Sequence, residues 1–123
     1  MTSRVLVIED TPANMKFVSV LLRNAGYDVL QAWTAEEGIA LAREHRPQLI
    51  LMDINLPGLD GIEATRILKG DERTRGIPIV AVTALAMSGD ERRIRAAGCD
   101  GYVAKPLRYK PFLQEVGRFL ANE

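Results

Sequence analysis

Short aliphatic runs alternate with amphipathic stretches from one end of the chain to the other. Residues 4–9 (RVLVIE) are rich in Val and Ile and bounded by polar residues, which predicts a buried strand. Over residues 12–25 the period changes: Met15, Val18, Leu22 and Ala25 recur at three-and-four spacing and Gly26 supplies a stop, so a helix follows. Residues 28–32 predict a second strand. Thr34, with Glu37 three residues on, has the form of a capping box that opens a helix running to about Glu44. Beyond Pro47, residues 49–52 (LILM) form a third strand, apolar on both faces, which stops at Asp53. The stretch 55–61 (NLPGLDG) is a loop by its Pro and Gly content, and residues 62–69 resume the helical period. Residues 78–83 (PIVAVT) predict strand four, 88–97 an Arg-rich helix closed by Gly98, and 101–104 a short fifth strand. A last helix over 109–120 carries Phe112, Val116, Phe119 and Leu120 on one face.

Five strands alternating with five helices imply an α/β fold with a parallel sheet, because each parallel crossover must pass right-handedly over one face. The expected strand order is 2-1-3-4-5, one of two common doubly wound arrangements. At 123 residues, without internal repeat or linker, the chain is read as a single domain over 1–123. Sixteen basic residues balance sixteen acidic ones, so no global field draws the protein to nucleic acid or anionic lipid, and neither is expected as a partner. No apolar run approaches the roughly 20 residues of a membrane span, and no signal-peptide pattern opens the chain. Cys99 is the sole cysteine; it is read as a small core residue, and a reducing cytoplasm is the expected setting.

In open parallel sheets, ligands bind beyond the carboxyl ends of the strands, where the winding direction reverses. Here strand one ends at Glu9 and Asp10, strand three at Asp53, strand four at Thr83 and strand five at Lys105. If strands one and three are neighbours, three carboxylates meet, and their mutual repulsion makes sense only with a cation. Oxygen ligands without His or Cys indicate a hard ion, Mg²⁺ or Mn²⁺. Lys105 and the Thr83 hydroxyl are suited to oxyanion oxygens, which together suggest phosphate.

These residues carry a resemblance. The acidic pair Glu9 and Asp10, the aspartate in LILMDINLPGLDG, the threonine in VAVTA and the lysine-proline in YVAKP resemble the response-regulator receiver domain, the CheY-like phosphoacceptor of two-component signalling. The similarity runs from Val5 to Leu120 and is greatest to single-domain receivers of the DivK type and receivers of hybrid histidine kinases. It implies that Asp53 is the phosphoacceptor and that Asp10 and Asp53 ligate Mg²⁺ directly. Glu9 would act mainly through a metal-bound water, and Asn55 through its backbone carbonyl. Lys105 and Thr83 would hold the phosphoryl oxygens, Tyr102 would be the aromatic switch, and Pro106 would follow a cis peptide bond. The loop over residues 84–89 would move with Thr83 and Tyr102. A histidine kinase or histidine phosphotransfer protein would supply the phosphoryl group, and the output would be binding of downstream protein targets by a monomer or a weak phosphorylation-dependent dimer. Such a domain catalyses only its own phosphorylation and dephosphorylation. The acidic pair is Glu-Asp where many relatives have Asp-Asp.

Two other classes compete. A metal-dependent phosphohydrolase with an aspartyl nucleophile usually carries a second acid two residues on, where this chain has Asn55, and a cap insertion that is missing here. A flavodoxin-like FMN binder would need a hydroxyl- and glycine-rich phosphate loop in place of EDTPAN. Among the remaining residues, His45 is expected at a helix C-terminus, Trp33 in packing, and Arg92, Arg93 and Arg95 on a solvated helix face. On the first helix, Phe17, Val18, Val20, Leu21 and Leu22 exceed one buried stripe. The surplus is expected near Asp53, where it would dock the phosphoryl donor.

Overall fold

The computed structural model describes residues 3–54, 56, 60–83 and 88–120, with the backbone alone at 88–90. Strands and helices alternate throughout: β1 (Arg4–Ile8), α1 (Pro12–Asn24), β2 (Asp28–Ala32), α2 (Ala35–His45), β3 (Leu49–Asp53), α3 (Gly61–Lys69), β4 (Ile79–Thr83), α4 (Ser88–Ala97), β5 (Gly101–Ala104) and α5 (Tyr109–Leu120). All pairings are parallel and the sheet order is β2-β1-β3-β4-β5, the expected doubly wound arrangement.

Side chains alternate across the pleat, so each strand feeds two cores. Leu6, Ile8, Ile50, Met52, Ile79 and Ala81 meet α2, α3 and α4 on one face. Val5, Val7, Leu49, Leu51 and Val80 meet α1 and α5 on the other. The inner strands β3 and β4 are buried at every position, which is why they read as unbroken apolar runs.

Helix ends follow local chemistry. Pro12 opens α1, where its missing N–H costs nothing. The Thr34–Glu37 box is present: Thr34 Oγ1 accepts from Glu37 N at 3.1 Å, and Glu37 Oε1 accepts from Trp33 N at 2.5 Å. Gly26 and Gly98 take φ of +95° and +111°, the left-handed turns in which Gly is least strained. α2 also stops on a left-handed residue, but there it is Arg46. α3 begins one residue earlier than the periodicity predicts, because Asp60 Oδ1 accepts from Glu63 N at 2.8 Å and caps it.

At the amino-terminal end of the sheet one lysine ties three segments together. Lys69, the last residue of α3, donates to the carbonyls of Arg75 (3.3 Å) and Ile77 (2.9 Å) and to Asp100 Oδ2 (2.9 Å). The same Asp100 oxygen accepts from Ile79 N at 2.9 Å, so the starts of β4 and β5 share the tie.

Candidate phosphoryl-transfer site

The crossover direction reverses between β1 and β3, and their carboxyl ends lie side by side, with Ile8 in register with Met52. The next residues on each strand are Glu9 and Asp53. β4 adds Thr83 one step beyond Val82, the register partner of Asp53, and Lys105 N donates to Thr83 O at 2.7 Å. The topology therefore collects at one end residues that lie far apart in the chain.

Glu9, Asp10 and Asp53 each offer an oxygen, and all three lie within 4.8 Å of one another. Glu9, Asp53 and Thr83 are buried, whereas Asp10 is exposed at the mouth. Lys105 reaches in from the end of β5, its Nζ 3.2 Å from Asp53 Oδ2 and 3.7 Å from Glu9 Oε1. The Lys105–Pro106 peptide bond is cis. One ammonium thus faces two buried carboxylates with a third beside them. Burial, with the Asp53 carboxylate adjacent, pushes the Glu9 carboxyl up to about 7, although the Thr11 N–H (3.0 Å from Oε2) and Lys105 pull the other way. Three oxygen donors with a surplus of negative charge and an open side fit a hard divalent cation that keeps several waters.

Tyr102 lies elsewhere. It is half-buried on β5 and faces α4, its hydroxyl hydrogen-bonded to Glu91 and its ring 5.9 Å from the Arg95 guanidinium. The Glu91 carboxylate pushes the phenol pKa up. Glu91 itself pairs with Arg95 at 3.5 Å. Sequence reading missed Glu91 as the tyrosine's partner, since nothing local to either residue signals a contact between α4 and β5. Asn55 and residues 84–87 lie outside the described residues, so neither the backbone ligand nor the mobile loop expected there is placed.

Trp33, expected to pack, is 40% exposed. Cys99 is buried, with its sulfur 3.7 Å from Thr65 Oγ1, and burial raises its thiol pKa. On α1, Phe17 and Val20 remain 43% and 44% exposed. Phe17 and Asn14 line a groove of about 240 Å³ with Lys105, Pro106 and Leu107, so part of that apolar surplus adjoins the acid cluster through Lys105.

Comparison with known proteins agrees with this geometry. The family described as the response regulator receiver domain matches residues 5–116. The polar-differentiation response regulator DivK of Brucella ovis is 45% identical over 122 residues, covering 99% of each chain, and that of Brucella anthropi is 44% identical over the same span. Among solved structures, the receiver domain of the Pseudomonas aeruginosa sensor histidine kinase PA1611, with a magnesium ion in its active-site cleft, is 34% identical at a TM-score of 0.91, covering 98% of this chain and 99% of that one. Chemotaxis protein CheY4 of Vibrio cholerae is 26% identical at 0.92, covering 97% and 99%.

Proposed function

The chain belongs to the response regulator receiver domain family, and on that premise we propose that it is a phosphorylation-controlled switch whose phosphoacceptor is Asp53. The observation that carries this is the Asp53 carboxylate, 3% exposed, 3.2 Å from the Lys105 ammonium and inside the acid cluster. An Asp53 oxygen attacks phosphorus in line while the bond from phosphorus to the donor's leaving atom breaks. Lys105 then exchanges its carboxylate partner for a phosphoryl oxygen, and the Thr83 hydroxyl donates to another.

Asp10 and Asp53 are suited to hold Mg²⁺ directly and Glu9 through a water, with Asn55 as the backbone ligand and Mn²⁺ as a substitute. What such an ion supplies is neutralisation of charge on the transferring group. The receiver of the Pseudomonas kinase, which holds magnesium in its cleft, supports the assignment. Aspartyl phosphate carries roughly 1.5 to 2 negative charges where the carboxylate carried one, a net gain of about 0.5 to 1 at a packed site, which favours a conformation in which Thr83 and Tyr102 turn inward. For Tyr102 this means leaving Glu91.

The donor is a histidine kinase or histidine phosphotransfer protein, docked on the exposed Phe17 and Val20 and the groove beside Lys105. The output is protein binding, by a monomer or a weak phosphorylation-dependent dimer. Its own chemistry is limited to gaining and losing the phosphoryl group, in the cytoplasm and without nucleic acid. Among the described residues no helix is long and apolar enough to cross a membrane.

Intact mass after incubation with acetyl phosphate and Mg²⁺ tests the core of this reading. One phosphoryl group is expected on the wild type and none on Asp53→Ala. Equal labelling of the two would refute the assignment, and sustained turnover of a phosphomonoester would point to a phosphohydrolase instead.

A further inference from the structure

The first residue of α3 lies against the backbone of the residue that carries the nucleophile. A Cβ built on Gly61 would stand 2.4 Å from the Asp53 carbonyl oxygen, 2.8 Å from the Ile54 Cα and 3.1 Å from the Asp53 carbonyl carbon. All three are backbone atoms. Ile54 N donates to Val82 O at 3.0 Å, and Asp53 is in register with Val82, so the last residue of β3 and the one after it are held by the neighbouring strand. The helix end is held as well: Gly61 N donates to Ile54 O at 3.3 Å and Thr65 Oγ1 donates to Gly61 O at 2.7 Å.

We infer that Gly61 is a positioning residue for phosphoryl transfer: its missing side chain lets α3 close on Asp53 and fixes the peptide that aims the nucleophile. This rests on Asp53 being the phosphoacceptor. A side-chain carbon essentially never stands closer than about 3.0 Å to such an atom and is at ease beyond about 3.4 Å, so Gly61→Ala must open the gap to the Asp53 oxygen by about 0.6 to 1 Å. Either α3 retreats or the end of β3 turns. Both disturb a carboxylate that must meet Lys105, a metal ion and phosphorus together. A displacement of that size in a reacting group lowers the rate by roughly tenfold to a hundredfold.

The test separates positioning from mere loosening of the helix end. Asp60→Ala removes the cap of the same helix without adding an atom near Asp53. Phosphorylation rates with acetyl phosphate at saturating Mg²⁺ are compared for wild type, Gly61→Ala and Asp60→Ala, each well below its melting midpoint, alongside Mg²⁺ affinity from the amide shifts of Asp10 and Ile54. Gly61→Ala is expected to lose at least tenfold in rate and to bind Mg²⁺ more weakly, whereas Asp60→Ala stays within twofold of wild type in both. Equal rates for Gly61→Ala and wild type, or equal losses in the two variants, would overturn the proposal. If Gly61→Ala does not fold, it is remade with Gly117→Ala, a helical site where a Cβ meets nothing within 4 Å and the exchange is stabilising. Failure to fold there too would mean that the displacement is not local, and the proposal falls. A wild type that takes no label would instead sink the phosphoacceptor reading, and the Gly61 role with it.

Discussion

Replacing Glu9 by Gln should stabilise the metal-free protein at and above neutral pH, and the size of the effect follows from the site. The Glu9 carboxyl is 4% exposed, beside Asp53, and its pKa rises from an ordinary 4.5 to about 7. Each unit corresponds to about 1.4 kcal/mol between protonation states, so holding Glu9 ionised in the fold costs about 3 kcal/mol. Glutamine keeps the length and can still accept from Thr11 N, while its amide can donate towards Asp53. The attraction of Lys105 at 3.7 Å is already contained in that pKa rise, so forgoing it trims nothing further and the gain is about 3 kcal/mol. The sign with pH is fixed. A folded pKa above the unfolded value means that the contribution of the neutral acid is fully present below about 4.5 and is lost as pH rises through about 7. The advantage of Glu9→Gln is therefore near zero at pH 4 and complete by pH 8. Urea melts of both proteins in EDTA across that range measure it, the difference between the two curves cancelling groups they share. Mg²⁺ should return about 1.4 kcal/mol to the wild type at ten times its dissociation constant, and less to the variant. A variant no more stable than wild type at pH 8 in EDTA, or a pH-independent advantage, would mean that burial and the adjacent Asp53 do not penalise the Glu9 charge as the geometry requires.

Other substitutions separate chemistry, docking and packing. Lys105→Ala leaves Asp53 and Glu9 without their shared cation, so metal-free stability at pH 8 should fall by roughly 1–3 kcal/mol in urea melts. Amide shifts around Tyr102 should then no longer respond to phosphorylation. Phe17→Glu should slow transfer from a phosphotransfer protein at least tenfold while leaving labelling by acetyl phosphate unchanged, since the side chain lies on the groove and outside the acid cluster. Thr34→Ala should cost about 1 kcal/mol through the lost cap, read as a shift in the urea midpoint. Gly38→Ala would drive a methyl into the Ile8 side chain, which stands 2.3 Å from the built Cβ, and should cost about 1–3 kcal/mol by the same measurement.

What was legible in the chain was whatever depends on neighbours in sequence. Val- and Ile-rich runs such as PIVAVT announce buried strands, and the Thr34–Glu37 spacing announces a helix start because both partners of the box lie within one turn. Asp60 and Glu63 carried a similar signal at the start of α3, obscured by a loop reading that extended through Gly61. The acid cluster was reachable because parallel strands end at one pole, so strand-terminal residues are candidates for meeting there. Strand order was expected as one of two common doubly wound arrangements and not from periodicity, which does not distinguish them. Contacts between elements had no such handle: the Glu91–Tyr102–Arg95 grouping depends on how α4 lies over β5. Nor does any local pattern foretell that Arg46 takes the left-handed turn after α2 at φ +45°, or that Trp33 stands 40% exposed.

The Lys69 tie gives the sheet a fixed pole. With one ammonium bound to the carbonyls of Arg75 and Ile77 and to Asp100, and Asp100 in turn holding Ile79 N, the roots of β4 and β5 are bolted to the tail of α3. Thr83 and Lys105 sit at the opposite tips of those two strands. A pull on the tips cannot be relieved by the strands sliding lengthwise as rods. It must be taken up sideways, close to where it is applied, and α4 is the helix that lies against Tyr102 there. The molecule is thus geared as a cantilever: clamped at the root, loaded at the tip, and deflecting sideways towards α4.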